Sequence, residues 1–87
     1  MKKVLDLMSV AKALLEGNLD MELVRYIFKV QGCELKRLDF DAAAAVLKCD
    51  RRTVGRRVKY LSEERHVLHV EGDRLKINDE MLKDRAA

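Results

Sequence analysis

The hydrophobic period of this chain changes once, near residue 66, and that change limits the folds that the chain can adopt. Before it, apolar residues recur every three or four positions, as on one face of a helix. After it, residues 67–70 and 75–78 have the composition of two short strands, and Gly72-Asp73 between them suits a two-residue hairpin turn. We therefore expect a series of helices followed by one β-hairpin.

Four helices are predicted before the hairpin and a short fifth one after it. Each lies between residues that favour helix ends, mostly aspartate at the start and glycine or a tight turn at the end. The predicted ranges are 3–16, 20–32, 38–47, 50–65 and 79–83. The residues expected to cap or stop these helices are Gly17, Asp20, Asp39, Asp50 and Asp79. Residues 33–37 are compatible with an extended link or a small edge strand.

The predicted order is helix, helix, short link, helix, tight turn, helix and hairpin, which is the order of winged helix-turn-helix domains. The fold class is therefore mostly α with a small β-hairpin wing, and an extra amphipathic helix stands at the N-terminus. We expect residues 18–83 to form the winged helix-turn-helix domain, 1–17 the extra helix and 84–87 a frayed tail. A chain of 87 residues suits one domain, which buries only about two-thirds of the surface of its unfolded chain.

Positive charge is concentrated where the fourth helix begins. The segment 48–59 contains six basic residues and one acid, so it carries +5 while the rest of the chain carries −2. A basic segment on a nearly neutral body is typical of a surface that binds phosphate. The six basic residues are Lys48, Arg51, Arg52, Arg56, Arg57 and Lys59.

The fourth helix is predicted to have two different faces. At 100° per residue, Val54, Val58 and Leu61 form a narrow stripe that can anchor the helix to a core. The opposite face is cationic over three turns and consists of Arg52, Arg56 and Lys59. The DNA major groove admits one such helix, and an arginine there can donate two hydrogen bonds to guanine O6 and N7. A solvated face without a partner would normally interleave Glu with Lys, but acids are missing until Glu63.

Residues 49–56, Cys-Asp-Arg-Arg-Thr-Val-Gly-Arg, resemble the start of the recognition helix in the cyclic-AMP receptor protein family of bacterial regulators. That family has Cys-Ser-Arg-Glu-Thr-Val-Gly-Arg there. Residues 61–68 also resemble the family's exit from this helix into the wing. The similarity covers about residues 38–78, which correspond only to the C-terminal DNA-binding domain of the family. It implies a winged helix-turn-helix that reads DNA. Regulators of the MarR, ArsR and fimbrial types share the same architecture.

The resemblance also implies roles for single residues. The family's arginines at the positions of Arg51 and Arg56 read bases, as does the glutamate that Arg52 replaces. Because arginine cannot accept a hydrogen bond from cytosine N4, either the target sequence differs or Arg52 contacts phosphate. The predicted base contacts are Arg51, Arg52 and Arg56. The predicted contacts to the DNA backbone are Thr53, Arg57, Lys59, Lys48 and, in the wing, Arg74.

Two residues are expected in unusual backbone positions. Helix-turn-helix units usually place glycine at the turn that Lys48 occupies, because the backbone there has a positive φ. Lysine at that position should cost about 1 kcal/mol or more, unless the turn has another shape. His66 lies at the exit of the fourth helix, where the left-handed conformation is common.

The sequence favours a sequence-specific transcription regulator that binds double-stranded DNA. It contains no Ser/His/Asp set, paired carboxylates, phosphate loop or metal-ligand pattern, so we expect neither an enzyme nor a metal, cofactor or small-molecule ligand. Two alternatives remain open, namely a winged helix that contacts other proteins and a non-specific DNA-coating protein. Cys33 and Cys49 are expected to be reduced thiols.

The N-terminal helix and the absence of long apolar runs bear on location and assembly. No stretch approaches the ~18 apolar residues of a membrane span, and Met1-Lys2-Lys3 leads into a charged helix rather than a signal peptide. We expect a soluble, cytoplasmic protein associated with the nucleoid. The apolar stripe of the 3–16 helix must be buried, either on its own domain or on a second copy, and a homodimer is favoured.

Overall fold

A computed structural model describes residues 3–14 and 18–84. The helices are α1 (Leu7–Ala13), α2 (Asn18–Gln31), α3 (Phe40–Leu47) and α4 (Arg51–Glu63). The strands are β1 (Lys3–Leu5), β2 (Lys36–Arg37), β3 (Leu68–Glu71), β4 (Arg74–Ile77) and β5 (Leu82–Asp84), with a 3-10 turn at Asp79–Met81 before β5. The prediction of a mostly helical chain with a small antiparallel sheet near its C-terminal end is confirmed.

The main sheet is antiparallel and has three strands in the order β2-β4-β3. Glu71 pairs with Arg74 at the end of the β3–β4 hairpin, which leaves Gly72-Asp73 as the predicted two-residue turn. Gly72 has φ +62°, a conformation that such turns require and that glycine adopts without strain. The edge strand that residues 33–37 allowed is present as β2, which pairs with β4.

The core lies between α2, α3, α4 and the inner side of the three-stranded sheet. Its largest fully buried apolar side chains are Leu23, Ile27, Leu61, Leu68, Ile77, Val10, Val24, Val54 and Val67. Burying one such side chain stabilises the fold by roughly 1.5–3 kcal/mol. Val54 and Leu61 are buried together with Val58, which confirms the stripe predicted for the fourth helix.

The N-terminal segment differs from the predicted helix 3–16. Residues 3–5 form β1, which pairs with β5, and the helix begins only after Asp6. The Asp6 side chain caps α1 by accepting a hydrogen bond from the Ser9 amide at 3.3 Å. Apolar spacing alone did not locate this start. The predicted stop at Gly17 lies outside the described residues.

The C-terminal segment also differs from the prediction. Instead of a helix over 79–83 capped by Asp79, one 3-10 turn leads into β5. Asp84, expected in a frayed tail, pairs with Lys3 across the two-stranded sheet. The partner strand of β5 is β1, near the other end of the chain. Local periodicity carries no information about pairing between segments so far apart. Residues 85–87 lie outside the described part of the chain.

The start of α2 is a third correction. The helix begins at Asn18, so Asp20 lies inside its first turn and is not its N-cap. Its carboxylate is buried and engaged elsewhere, as described below. The predicted end by Gly32 is confirmed, because α2 stops at Gln31.

The N-terminal helix packs on its own chain. Val10 of α1 is fully buried in the common core. The Arg65 side chain, just after α4, donates a hydrogen bond from Nε to the Ala13 carbonyl at 2.7 Å. Within residues 3–14 and 18–84, the structure contains no helix with the length and apolar character of a membrane span.

Candidate nucleic-acid interface

Two helices joined by a tight turn present the basic segment. Asp39 caps α3 by accepting a hydrogen bond from the Ala42 amide at 3.1 Å, and Asp50 caps α4 through the Arg52 amide at 2.8 Å. Between them Lys48 has φ 56° and ψ 47°, which confirms the left-handed turn expected at this position. The Cys49 amide donates to the Ala44 carbonyl at 3.0 Å, so the turn from α3 into α4 is closed by a backbone hydrogen bond and is only three residues long.

The outward face of α4 is cationic. Arg52, Arg56 and Lys59 are exposed, and no acidic residue occurs in α4 before Glu63 at its end. Arg56 donates a hydrogen bond from Nη2 to the hydroxyl of half-buried Thr53 at 3.4 Å. That single long contact leaves most of the Arg56 donors available to a partner.

Arg57 lies on a different side of α4, in contact with α2. Its Nε donates to Asp20 Oδ1 at 2.7 Å and its Nη2 donates to Asp20 Oδ2, which makes a bidentate pair. The side chains are only 23% and 2% exposed. The guanidinium also lies over the Tyr60 ring, 4.5 Å from its centroid. Arg57 therefore joins α4 to α2 and does not point outward with the exposed cations.

This ion pair was missed at the sequence level, although a signal for it exists. Asp20 stands at the start of the apolar stripe of α2, three and four positions before Leu23 and Val24. A lone carboxylate on an apolar face must be paired when it is buried. Nothing in the sequence, however, distinguishes Arg57 from the neighbouring basic residues as its partner.

Arg51, the first residue of α4, carries an ion pair of its own. Its Nε lies 3.6 Å from Oδ1 of Asp41, the second residue of α3. Both side chains are well exposed, at 68% and 74%. They line a cleft of about 650 Å³ that also includes the hairpin turn, so the start of α4 and the tip of the hairpin border the same depression.

The other predicted contacts lie around this cleft and the turn. Lys48 is exposed at the α3–α4 turn, and Arg74 is exposed where β4 leaves the hairpin turn. Arg37 of β2 contacts the carboxylate of Asp73 in that turn, with 3.6 Å between Nε and Oδ2. The sequence did not single out Arg37, because its neighbour in space is 36 positions away.

The described residues contain no group of three or more His, Cys, Asp or Glu side chains arranged to hold a metal ion. Cys33 is exposed and Cys49 is half-buried, and both are free thiols. Comparison with protein-family models, curated proteins and solved structures finds no match to the chain.

Proposed function

We propose that the chain is a winged helix-turn-helix protein that binds double-stranded DNA sequence-specifically and regulates transcription. Two features of the fold support the architecture. One is the succession α2, β2, α3, α4, β3, β4, and the other is a sheet in which β2 pairs with β4 of the hairpin. The observation that carries the function is the exposed cationic face of α4, which has no acid before Glu63. In this proposal the protein acts by binding, without catalysis.

The proposed complex inserts α4 into the major groove. Arg52 and Arg56 lie in its first two turns, from which side chains of such helices meet base edges. Thr53, Lys59 and Lys48 would contact the sugar-phosphate backbone, where cations and hydroxyls fix the register of a protein on DNA. The β3–β4 hairpin would bring Arg74 over the adjacent backbone.

Arg57 is left out of this set of contacts. Its guanidinium is held by the buried Asp20 carboxylate, and moving it to a phosphate would leave that carboxylate unpaired in the core. Arg57 thus supports binding only by fixing α4 against α2.

A protein-contact role is the weaker candidate. Such a surface usually offers exposed apolar or aromatic side chains at its centre. Along α4 the aromatic residue is Tyr60, which is half-buried and covered by Arg57. Arginines dominate the outward face instead.

A homodimer is part of the proposal, because winged helix-turn-helix proteins commonly bind two half-sites about one helical turn apart. We place its interface on the outer side of α1, which is one of the surfaces with exposed apolar side chains. Leu7 and Met8 are 48% and 73% exposed there, although Val10 of the same helix is buried.

The test is a selection from random-sequence DNA by the purified chain, read at two salt concentrations. We expect one enriched motif, and Arg56→Ala should weaken binding to it by about 1–3 kcal/mol and relax the preference at one base position. Arg25→Ala is the matched control, since Arg25 is an exposed arginine of α2 that lies beside Val46 and Leu47 of α3 and belongs to neither α4 nor the hairpin. It should select the wild-type motif.

Three results would contradict the proposal. Enrichment of no sequence with strongly salt-dependent binding would identify a non-specific coating protein. Absence of DNA binding at both salt concentrations would favour protein contact. Equal effects of Arg56→Ala and Arg25→Ala would show that net charge, not the α4 face, determines binding.

A further inference from the structure

The exposed pair between Arg51 and Asp41 is the starting point. Asp41 contacts Nε, the nitrogen nearest the aliphatic stem of Arg51. A guanidinium held there can still present its Nη1–Nη2 edge, which carries parallel N–H donors, to another acceptor pair. The carboxylate therefore lies beside one edge of Arg51, at ion-pair distance and without a hydrogen bond, and leaves the edge suited to guanine O6 and N7.

Folding does not account for this pair. Ion pairs between groups as exposed as these contribute little or nothing measurable to stability. Arg51 also occupies the first position of α4, where the positive end of the helix dipole disfavours a cation. Asp50, the N-cap of α4, already places a carboxylate at this end of the helix, so compensation of the helix dipole does not require Asp41.

We propose that Asp41 is a positioning residue that holds Arg51 for the recognition of one guanine in the major groove. The inference rests on the proposed DNA-binding function and adds a determinant of specificity outside α4. An arginine loses much rotamer freedom when it binds in a fixed geometry, and a prior contact at Nε reduces that loss. The Asp41 carboxylate also repels phosphate, which favours the base edge over the backbone as the partner of Arg51.

The chain offers a matched control in the same cleft. Asp73 contacts Nε of Arg37 at the same distance, 3.6 Å, and those side chains are 70% and 80% exposed. That pair links the hairpin turn to β2 and includes no residue of α4. Asp41→Asn and Asp73→Asn each remove one exposed negative charge and release one arginine. They differ in whether that arginine belongs to the proposed recognition helix, and in that Asp41 also lies in the first turn of α3.

The experiment compares the wild type, Asp41→Asn and Asp73→Asn in the random-sequence selection, with thermal unfolding measured in parallel. We expect Asp41→Asn to lower the preference for guanine at one position by about twofold to fivefold, since an exposed ion pair holds Arg51 by no more than about 1 kcal/mol. Asp73→Asn should keep that preference and the wild-type melting temperature, whereas Asp41→Asn should melt slightly lower because Asp41 lies in the first turn of α3. In an Arg51→Ala background, Asp41→Asn should cause no further loss at this position.

Each contrary outcome has a definite meaning. If Asp41→Asn selects the same motif as the wild type, Asp41 does not position Arg51, but the proposed function stands. Equal loss in Asp41→Asn and Asp73→Asn would attribute the effect to charge alone and also overturns the role of Asp41. A wild-type chain that enriches no motif overturns both proposals.

Discussion

At the scale of single residues, adjacent arginines of α4 have different environments. Arg56 is exposed and contacts only the Thr53 hydroxyl, whereas Arg57 forms a bidentate pair with the buried carboxylate of Asp20. A turn of 100° per residue separates the two side chains, and α2 covers only one of them. Local sequence describes both simply as cations, so their separate roles emerge only from the packing of α4 on α2.

Replacement of these two arginines should therefore affect different properties. Arg57→Ala should lower the free energy of unfolding by about 3–5 kcal/mol, because it leaves the Asp20 carboxylate buried without its partner. Arg56→Ala should change it by no more than about 0.5 kcal/mol, as is usual for an exposed site. Urea denaturation followed by circular dichroism measures both.

The double replacement Asp20→Leu with Arg57→Met separates the loss of the pair from the cost of an unpaired charge. It should recover part of the stability lost in Arg57→Ala, since an apolar pair of similar volume can replace a buried ion pair. An Arg57→Ala variant as stable as Arg56→Ala would show that the pair with Asp20 does not hold α4 in place.

At the scale of secondary-structure elements, the turns before and after α4 share the same unusual backbone. Lys48 between α3 and α4 has φ 56°, and His66 after α4 has φ 55°. A left-handed residue with a side chain costs roughly 1–2 kcal/mol. Both turns are therefore stabilised by the helices or strands on either side and not by their own conformational preferences.

Lys48→Gly tests this cost and the proposed phosphate contact together. The variant should gain between a few tenths and about 1 kcal/mol in the free energy of unfolding, because glycine relieves the strain but has more freedom in the unfolded chain. Its affinity for DNA should fall, and the salt dependence of binding should decrease by about one counterion. Thermal unfolding and binding titrations at several salt concentrations measure these effects.

His66→Gly is the control for Lys48→Gly. It should produce a similar gain in stability with no change in the salt dependence of DNA binding. If the two variants behaved alike in DNA binding, Lys48 would not contact phosphate. If neither gained stability, the left-handed turns would not be strained.

The elements that could be predicted are those defined by local signals. The caps at Asp39 and Asp50, the apolar stripe of α4 and the Gly72-Asp73 turn located α3, α4 and the hairpin correctly. The β1–β5 pair was missed because its strands are three residues each and lie at opposite ends of the described chain. The exposed cations of the candidate site followed from helical periodicity, but the ion pairs of Arg51 and Arg57 depend on other helices.

At the scale of the whole molecule, the two ends of the described chain meet. β1 pairs with β5, and α1 is placed beside the 3-10 turn, where the Asp6 amide donates a hydrogen bond to the Met81 carbonyl at 2.8 Å. This arrangement buries Val10 and turns Leu7 and Met8 outward. The N-terminal segment thus contributes to the core of its own chain and also supplies the surface proposed for a second copy.

Deleting residues 1–17 would be an unsuitable test of dimerisation, since it would remove Val10 from the core and β1 from β5. Leu7→Glu with Met8→Glu changes only exposed positions. Charge repulsion across the proposed two-fold interface should convert the dimer to a monomer, and sedimentation should show half the wild-type mass. Binding to a two-half-site DNA should weaken more than binding to a single half-site.

Val30→Glu is the control for this pair of substitutions, because Val30 is an exposed valine at the far end of α2. It should leave both the mass in solution and the ratio of two-site to one-site affinity unchanged. A wild type that sediments as a monomer, alone and on two-half-site DNA, would contradict the dimer. A dimer that persists in Leu7→Glu/Met8→Glu but dissociates in Val30→Glu would move the interface from α1 to α2. In neither case would the contacts proposed for α4 be affected, because they belong to each chain separately.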